Sequence, residues 1–140
     1  MVHALQEIHR ALVPRGVLID LRPLSNNWPL EVIVDGQASF AGPVDDSPAI
    51  PDDEAANSAL AQIGRDGWFI REREGTFDFL WYWDSLAEME SGFASDPSWV
   101  GFVSLPAETA ARAQALSASV RHEARVRLRL HMHIARWRKR

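Results

Sequence analysis

Ala4-Leu5-Gln6-Glu7-Ile8-His9-Arg10-Ala11-Leu12-Val13-Pro14-Arg15-Gly16-Val17-Leu18-Ile19-Asp20-Leu21-Arg22 is the stretch on which the fold turns. Leu5, Ile8 and Leu12 recur at helical spacing and predict a helix over residues 2–13. Glu7, His9 and Arg10 lie off that stripe. Pro14 cannot continue the helix, and Gly16 marks the turn. Val17–Arg22 then reads as a strand, with its charges only at the end. Such an apolar run suits a strand buried on both faces of a sheet.

Working outward, Glu31–Val34, Asp35-Gly36 and Gln37–Phe40 read as a hairpin at about 31–40, because Asp-Gly favours a tight two-residue turn. Residues 24–30 before it read as a loop. Residues 41–53 hold three Pro and four Asp and read as an acidic loop. A helix capped by Asp52 or Asp53 should follow, with Ala56, Leu60 and Ile63 inward. Residues 68–83 read as extended, with Gly75 a bulge or a turn. Ser85 and Glu88 have capping-box spacing, and Pro106 opens a helix through about Ser119. Residues 124–136 end the chain's pattern with strict alternation: Val126, Leu128, Leu130 and Met132 against Arg127, Arg129, His131 and His133. The apolar set is expected in the core and the polar set on a wetter face. Helices alternating with strands indicate α/β architecture in a single domain over 1–140.

The chain has 140 residues, no Cys and a net charge of −4. Without Cys there are no disulfides, thiolate metal sites or Cys nucleophile, and a reducing cytoplasm is compatible. No apolar run is long enough to span a bilayer, and residues 1–10 lack signal-peptide character. The net charge hides a division: residues 121–140 carry eight Lys and Arg against one acid, whereas residues 1–120 carry seven against 18. The basic residues sit within a strand pattern rather than a tail. They are expected to neutralise acids of the same fold or of one dimer, and a nucleic-acid partner is not expected.

Few residues stand out chemically. His131 and His133 share a face, but Arg127 and Arg129 on that face oppose a cation, so no metal site is assigned. His3, His9 and His122 read as surface residues. Trp81 and Trp83 should project to one side of their strand and Tyr82 to the other, as core or as an aromatic wall for a ligand. Asp20 and Arg22 end a strand, where open α/β sheets bind ligands, and an internal ion pair between them accounts for the two charges equally well. Asp20, Arg22, Trp81 and Trp83 are therefore the substrate-pocket candidates. No Gly-rich phosphate loop, Gly-x-Ser-x-Gly elbow or His-Glu-x-x-His helix occurs, so no catalytic residue is assigned.

Residues 4–21 resemble the late helix and fifth strand of class I S-adenosylmethionine-dependent methyltransferases. That segment commonly reads Leu-x-Glu-x-x-Arg-x-Leu-x-Pro-Gly-Gly before an apolar strand, and Arg15 stands here at the first Gly. Ile134-Ala135-Arg136-Trp137-Arg138-Lys139 is similar to the family's closing strand. The resemblance implies a partial Rossmann-like sheet: strands about 17–22 and 68–83, with the antiparallel strand 124–136 slotted between them and the hairpin an addition. It implies methyl transfer from S-adenosylmethionine to a small molecule. The family's cofactor loop and ribose-binding acid match no position here, so no cofactor-binding residue carries over. The chain is expected to represent the C-terminal part of such a domain and to be inactive and cofactor-free alone.

Strand 17–22 would then be an open apolar edge, which favours a homo-oligomer or a separate N-terminal half as partner. Two other readings remain open. One is a non-catalytic dimerising or subunit-docking module. The other is a small α+β cone around an apolar ligand pocket, with a largely antiparallel sheet.

Overall fold

The computed structural model describes residues 2–119 and 123–140; His122 lies outside them. In chain order the elements are α1 (Val2–Ala11), β1 (Val17–Pro23), β2 (Pro29–Val34), β3 (Gln37–Pro43), a 3-10 turn (Ser47–Ala49), α2 (Ile50–Arg65), β4 (Phe69–Trp83), α3 (Leu86–Ser95), α4 (Ala107–Ala118) and β5 (Arg125–Lys139). This is a mixed α/β chain with one five-stranded, open, antiparallel sheet. β5 pairs with β1 and β2 and also with β4. The approaches from β4 and the residue after it to β5 run Glu72–Arg138, Glu74–His133, Asp78–Arg129 and Asp84–Arg125, descending on one strand as they ascend on the other. The chain forms two compact units, one of Met1–Leu24, Ile50–Phe77 and Met132–Arg140, the other of Ser25–Ala49 and Asp78–His131.

In the first unit, β1 pairs antiparallel with β5, setting Asp20 against Ala135 and Arg22 against His133. Leu5, Leu60, Ile63, Phe69, Ala135 and Trp137 form the core, with Leu12 and Leu18 against it. Ala56, Leu60 and Ile63 of α2 point inward as their spacing predicts. Asp52 and Asp53 lie inside the first turn of α2 rather than before it, where carboxylates still favour the helix dipole. His9 is not a bare surface residue: its ring lies 5.3 Å from that of Phe69. Lys139 Nζ donates to the carbonyls of His9 and Leu12 at 2.6 and 2.7 Å, satisfying acceptors at the end of α1.

The turn between α1 and β1 is tight. Arg15 adopts φ 63°, a left-handed conformation that suits glycine. A Cβ on Gly16 would come within 2.9 Å of the Val13 carbonyl oxygen, so Gly16 is required by space. β1 itself departs from the doubly buried expectation. Ile19 and Leu21 are 51% and 54% exposed, while Asp20 and Arg22 are half-buried. The apolar run packs on one face only, and β5 is the only strand paired with β1 among the described residues.

β4 runs through Gly75, which excludes a turn there. Arg71 stacks on Trp137, 5.7 Å from the ring centroid, and also donates to Glu74 at 2.5 Å.

In the second unit, β2 and β3 form the expected hairpin, with Asp35 and Gly36 at φ 50° and 78°, as a type I′ turn requires. Its first strand begins at Pro29, inside the stretch read as loop, because Leu30 pairs with Leu128 of β5 and is fully buried. α4 packs on β3 through Thr109, whose hydroxyl donates to the Pro43 carbonyl at 2.8 Å. Gly42 gives that hydroxyl room, since a Cβ there would sit 2.5 Å from it. Ser85 caps α3 by accepting from the Glu88 N–H at 3.1 Å, and the Glu88 carboxylate accepts from the Asp84 N–H at 2.7 Å. Buried Asp46 accepts from the N–H groups of Asn26 and Asn27, both at 2.9 Å.

The alternation of β5 holds in this unit, where Val126, Leu128 and Leu130 are buried. It changes phase in the first unit, where Ala135 and Trp137 are buried and Ile134 is 38% exposed. Met132, expected in the core, is half-buried. In each unit a different set of β5 side chains meets the local core.

Candidate functional site

The first unit contains a cavity of about 510 Å³ over one face of its strands. Four elements build it. β1 supplies Asp20 and Arg22; α2 supplies Asn57 and Leu60; β4 supplies Phe69, Arg71 and Glu74; β5 supplies His133 and Trp137. On each strand the face changes from apolar to polar along its length. Leu18 gives way to Asp20 and Arg22, Phe69 to Arg71 and Glu74, and Trp137 to His133. Leu60, Phe69 and Trp137 thus give the cavity an apolar wall, on which Arg71 lies, and Asp20, Arg22, Glu74 and His133 give it a polar one.

Arg22 is fixed from three sides. Its Nη2 donates to Asn57 Oδ1 at 2.6 Å, its Nη1 to the Asp53 carbonyl at 3.3 Å, and its Nε to Asp20 at 3.3 Å. The Asp20 and Arg22 side chains retain 13% and 15% exposure, so the pair is well shielded from solvent. His133 stands between two carboxylates. Its Nδ1 is 3.4 Å from Asp20 Oδ2, and its Nε2 is 3.6 Å from Glu74 Oε2. Neither approach is a hydrogen bond, and Nδ1 is buried with no hydrogen-bond partner. The indole Nε1 of Trp137 is likewise buried and unpaired.

Asp20 and Arg22 thus come together in this cavity. Trp81 and Trp83 do not line it; they belong to the second unit's aromatic cluster. Their rings stack 6.0 Å apart at 23°, and each meets Trp99 edge-on, at 5.3 and 6.1 Å. Trp83 is buried at 8% exposure and is core; Trp81 remains 41% exposed. The two share a side, as alternation predicts, while Tyr82 turns to Arg125 and Arg127, whose guanidinium groups lie over its ring at 5.4 and 5.7 Å.

The basic strand is neutralised within its own units. Arg127 Nη2 and Arg129 Nη2 reach the buried carboxylate of Glu31 at 2.6 and 2.7 Å. This corrects the wet-face expectation for Arg127, whose side chain is only 19% exposed. Arg136 and Arg138 both pair with Glu72, and hydrogen bonding to Arg138 holds that carboxyl below its ordinary range. His131 and His133 do not act together: His131 meets Asp78 at 3.1 Å, and His133 meets Asp20. Among the described residues, no group of three His, Asp or Glu is placed to hold a metal ion. Among the described residues, no helix is long and apolar enough to cross a membrane.

Asn57, Glu74 and His133 completed the site without having been singled out for it. The signal that could have found His133 was its cross-strand register with Arg22, which the one-dimensional pattern does not contain. Neither a protein-family model, nor a curated protein, nor a solved structure matches the chain.

Proposed function

We propose that this chain supplies the substrate-side elements of a class I S-adenosylmethionine-dependent methyltransferase, and that the cavity of the first unit receives a small-molecule acceptor. One observation carries the reading. β5 lies antiparallel to both β1 and β4, so those two flanking strands run in the same direction. The family's sheet closes in that order. The left-handed Arg15 lends support, since it occupies the turn position where the family has glycine. The cavity's polar wall lies toward the carboxyl end of β1, where open α/β sheets hold ligands.

The family's cofactor finds no matching cradle among the described residues. The two junctions from strand to helix, β3 to α2 and β4 to α3, carry no glycine and place Asp45, Asp46 and Asp84 there. What these residues do is bind and orient. Leu60, Phe69 and Trp137 hold an apolar body, and the fixed Arg22 and Asp20 present polar groups to it.

A docking module is the second reading, favoured by the exposure of Ile19 and Leu21 beside the open edge of β1. The test is the coding sequence upstream of Met1, expressed with this chain and assayed for transfer of a radiolabelled methyl group to small molecules. An in-frame Gly-rich strand–loop–helix segment and transfer lost on Arg22→Ala are expected. No transfer, or transfer indifferent to Arg22, contradicts the proposal.

A further inference from the structure

We infer that His133 is an acid–base group acting on a small, largely apolar molecule that bears a hydroxyl, bound in the cavity of the first unit. The inference rests on reading that cavity as a small-molecule site and does not require methyl transfer. Each neighbouring carboxylate already has an arginine: Asp20 is bound by Arg22, and Glu74 by Arg71. These four charged groups, from β1 and β4, balance in sign, Asn57 from α2 adds no charge, and Arg140 after β5 adds one further cation to the cavity lining. The imidazole is bonded to neither acid. At 3.4 Å its Nδ1 is a few tenths of an ångström from a hydrogen bond to Asp20, a closing that ligand binding supplies in many sites. Nδ1–H donating to Asp20 would fix the tautomer and leave Nε2 as the basic atom.

The rest of the cavity selects the ligand. Leu60, Phe69 and Trp137 suit a ring or short apolar body, and about 510 Å³ is within the usual range for small-molecule sites. At the polar wall, the hydroxyl O–H bond breaks and the proton bonds to Nε2. The electron pair stays on oxygen as an oxyanion. The imidazolium is then flanked by Asp20 and Glu74, and the oxyanion by Arg22 and Arg71.

The experiment uses the whole chain and 4-nitrophenol, whose phenolate absorbs visible light, at a pH where the free probe is mostly protonated. Protein should raise the phenolate band saturably, and His133→Gln should retain binding, read by tryptophan fluorescence, while losing at least four-fifths of that rise. Asp20→Asn should reduce the rise. In the unmutated chain, nitrogen NMR of the His133 ring should show Nε2 protonated on saturation, a readout that needs no variant to fold. Absence of saturable binding, an unchanged Nε2 resonance, or a phenolate rise that survives His133→Gln each overturns the inference. Methyl transfer enters none of these readouts, so its failure elsewhere leaves them intact.

Discussion

Replacing Glu31 by Gln should destabilise the second unit severely, although the two side chains are nearly the same size. Glu31 is 5% exposed, and its two oxygens divide between Arg127 and Arg129 at 2.6–2.7 Å. Glutamine removes the charge and turns one acceptor into a donor facing a guanidinium. Removing one member of a buried ion pair costs about 3–5 kcal/mol, because the remaining charge stays desolvated. Arg127, with 19% of its side chain exposed, meets that condition. Arg129, at 40%, can recover water and contributes less. A loss of roughly 2–4 kcal/mol is therefore expected. Urea unfolding followed by tryptophan fluorescence reads it, since Trp28, Trp81, Trp83 and Trp99 lie in the same unit. The midpoint should fall by roughly 1–2 M for an ordinary urea dependence. Replacing all three residues together, as Glu31→Leu, Arg127→Met and Arg129→Met, should recover most of the loss. A Glu31→Gln loss below about 0.5 kcal/mol, the level of an unremarkable surface substitution, would refute the reasoning.

The α1–β1 turn predicts opposite effects at neighbouring positions. Arg15→Gly should raise Tm by a few degrees, relieving about 1 kcal/mol of left-handed backbone cost, whereas Gly16→Ala should lose about 1–3 kcal/mol to the clash with Val13 and Leu12; equal effects at both would contradict the geometry. Glu72 titrates below its ordinary value, so the stability it gains from Arg138 is fully present above that value and disappears as pH falls through the lowered one. Urea midpoints of the chain and of Glu72→Gln should therefore differ at neutral pH and converge in acid; a gap that widens in acid would refute this. The open edge of β1 predicts self-association, seen by sedimentation and lost on Ile19→Lys with Leu21→Lys; a monomer throughout the high micromolar range would count against it.

Elements governed by local chemistry were legible in the sequence. Asp35-Gly36 specifies its turn by requiring two positive φ angles, and Ser85 with Glu88 specifies the start of α3 through backbone N–H groups only a few residues away. The inward face of α2 followed from spacing alone. Failures arose where the outcome depends on what covers a strand. Val17–Arg22 is apolar enough to be buried twice, yet Ile19 and Leu21 stay about half exposed. The alternation of β5 is regular in sequence but changes phase in burial, because Leu130 and Trp137 serve different cores. Glu31 sits in a hairpin strand, and nothing near it in sequence reveals that two arginines 96 and 98 positions later hold its charge. The site followed the same rule. Asp20 and Arg22 were visible as charges ending an apolar strand, whereas His133 and Glu74 acquire meaning only through the pairing of β5 with its neighbours.

The placement of β5 is the most direct test of the account, because both the fold comparison and the cavity depend on it. Nuclear Overhauser contacts in the labelled chain should link Asp20 with Ala135 and Leu18 with Trp137 along one edge of β5. Along the other edge they should link the Arg71 side chain with the Trp137 ring. Direct backbone contacts between residues 17–23 and 69–77, with the Asp20–Ala135 contact absent, would remove β5 from between those strands and contradict the account.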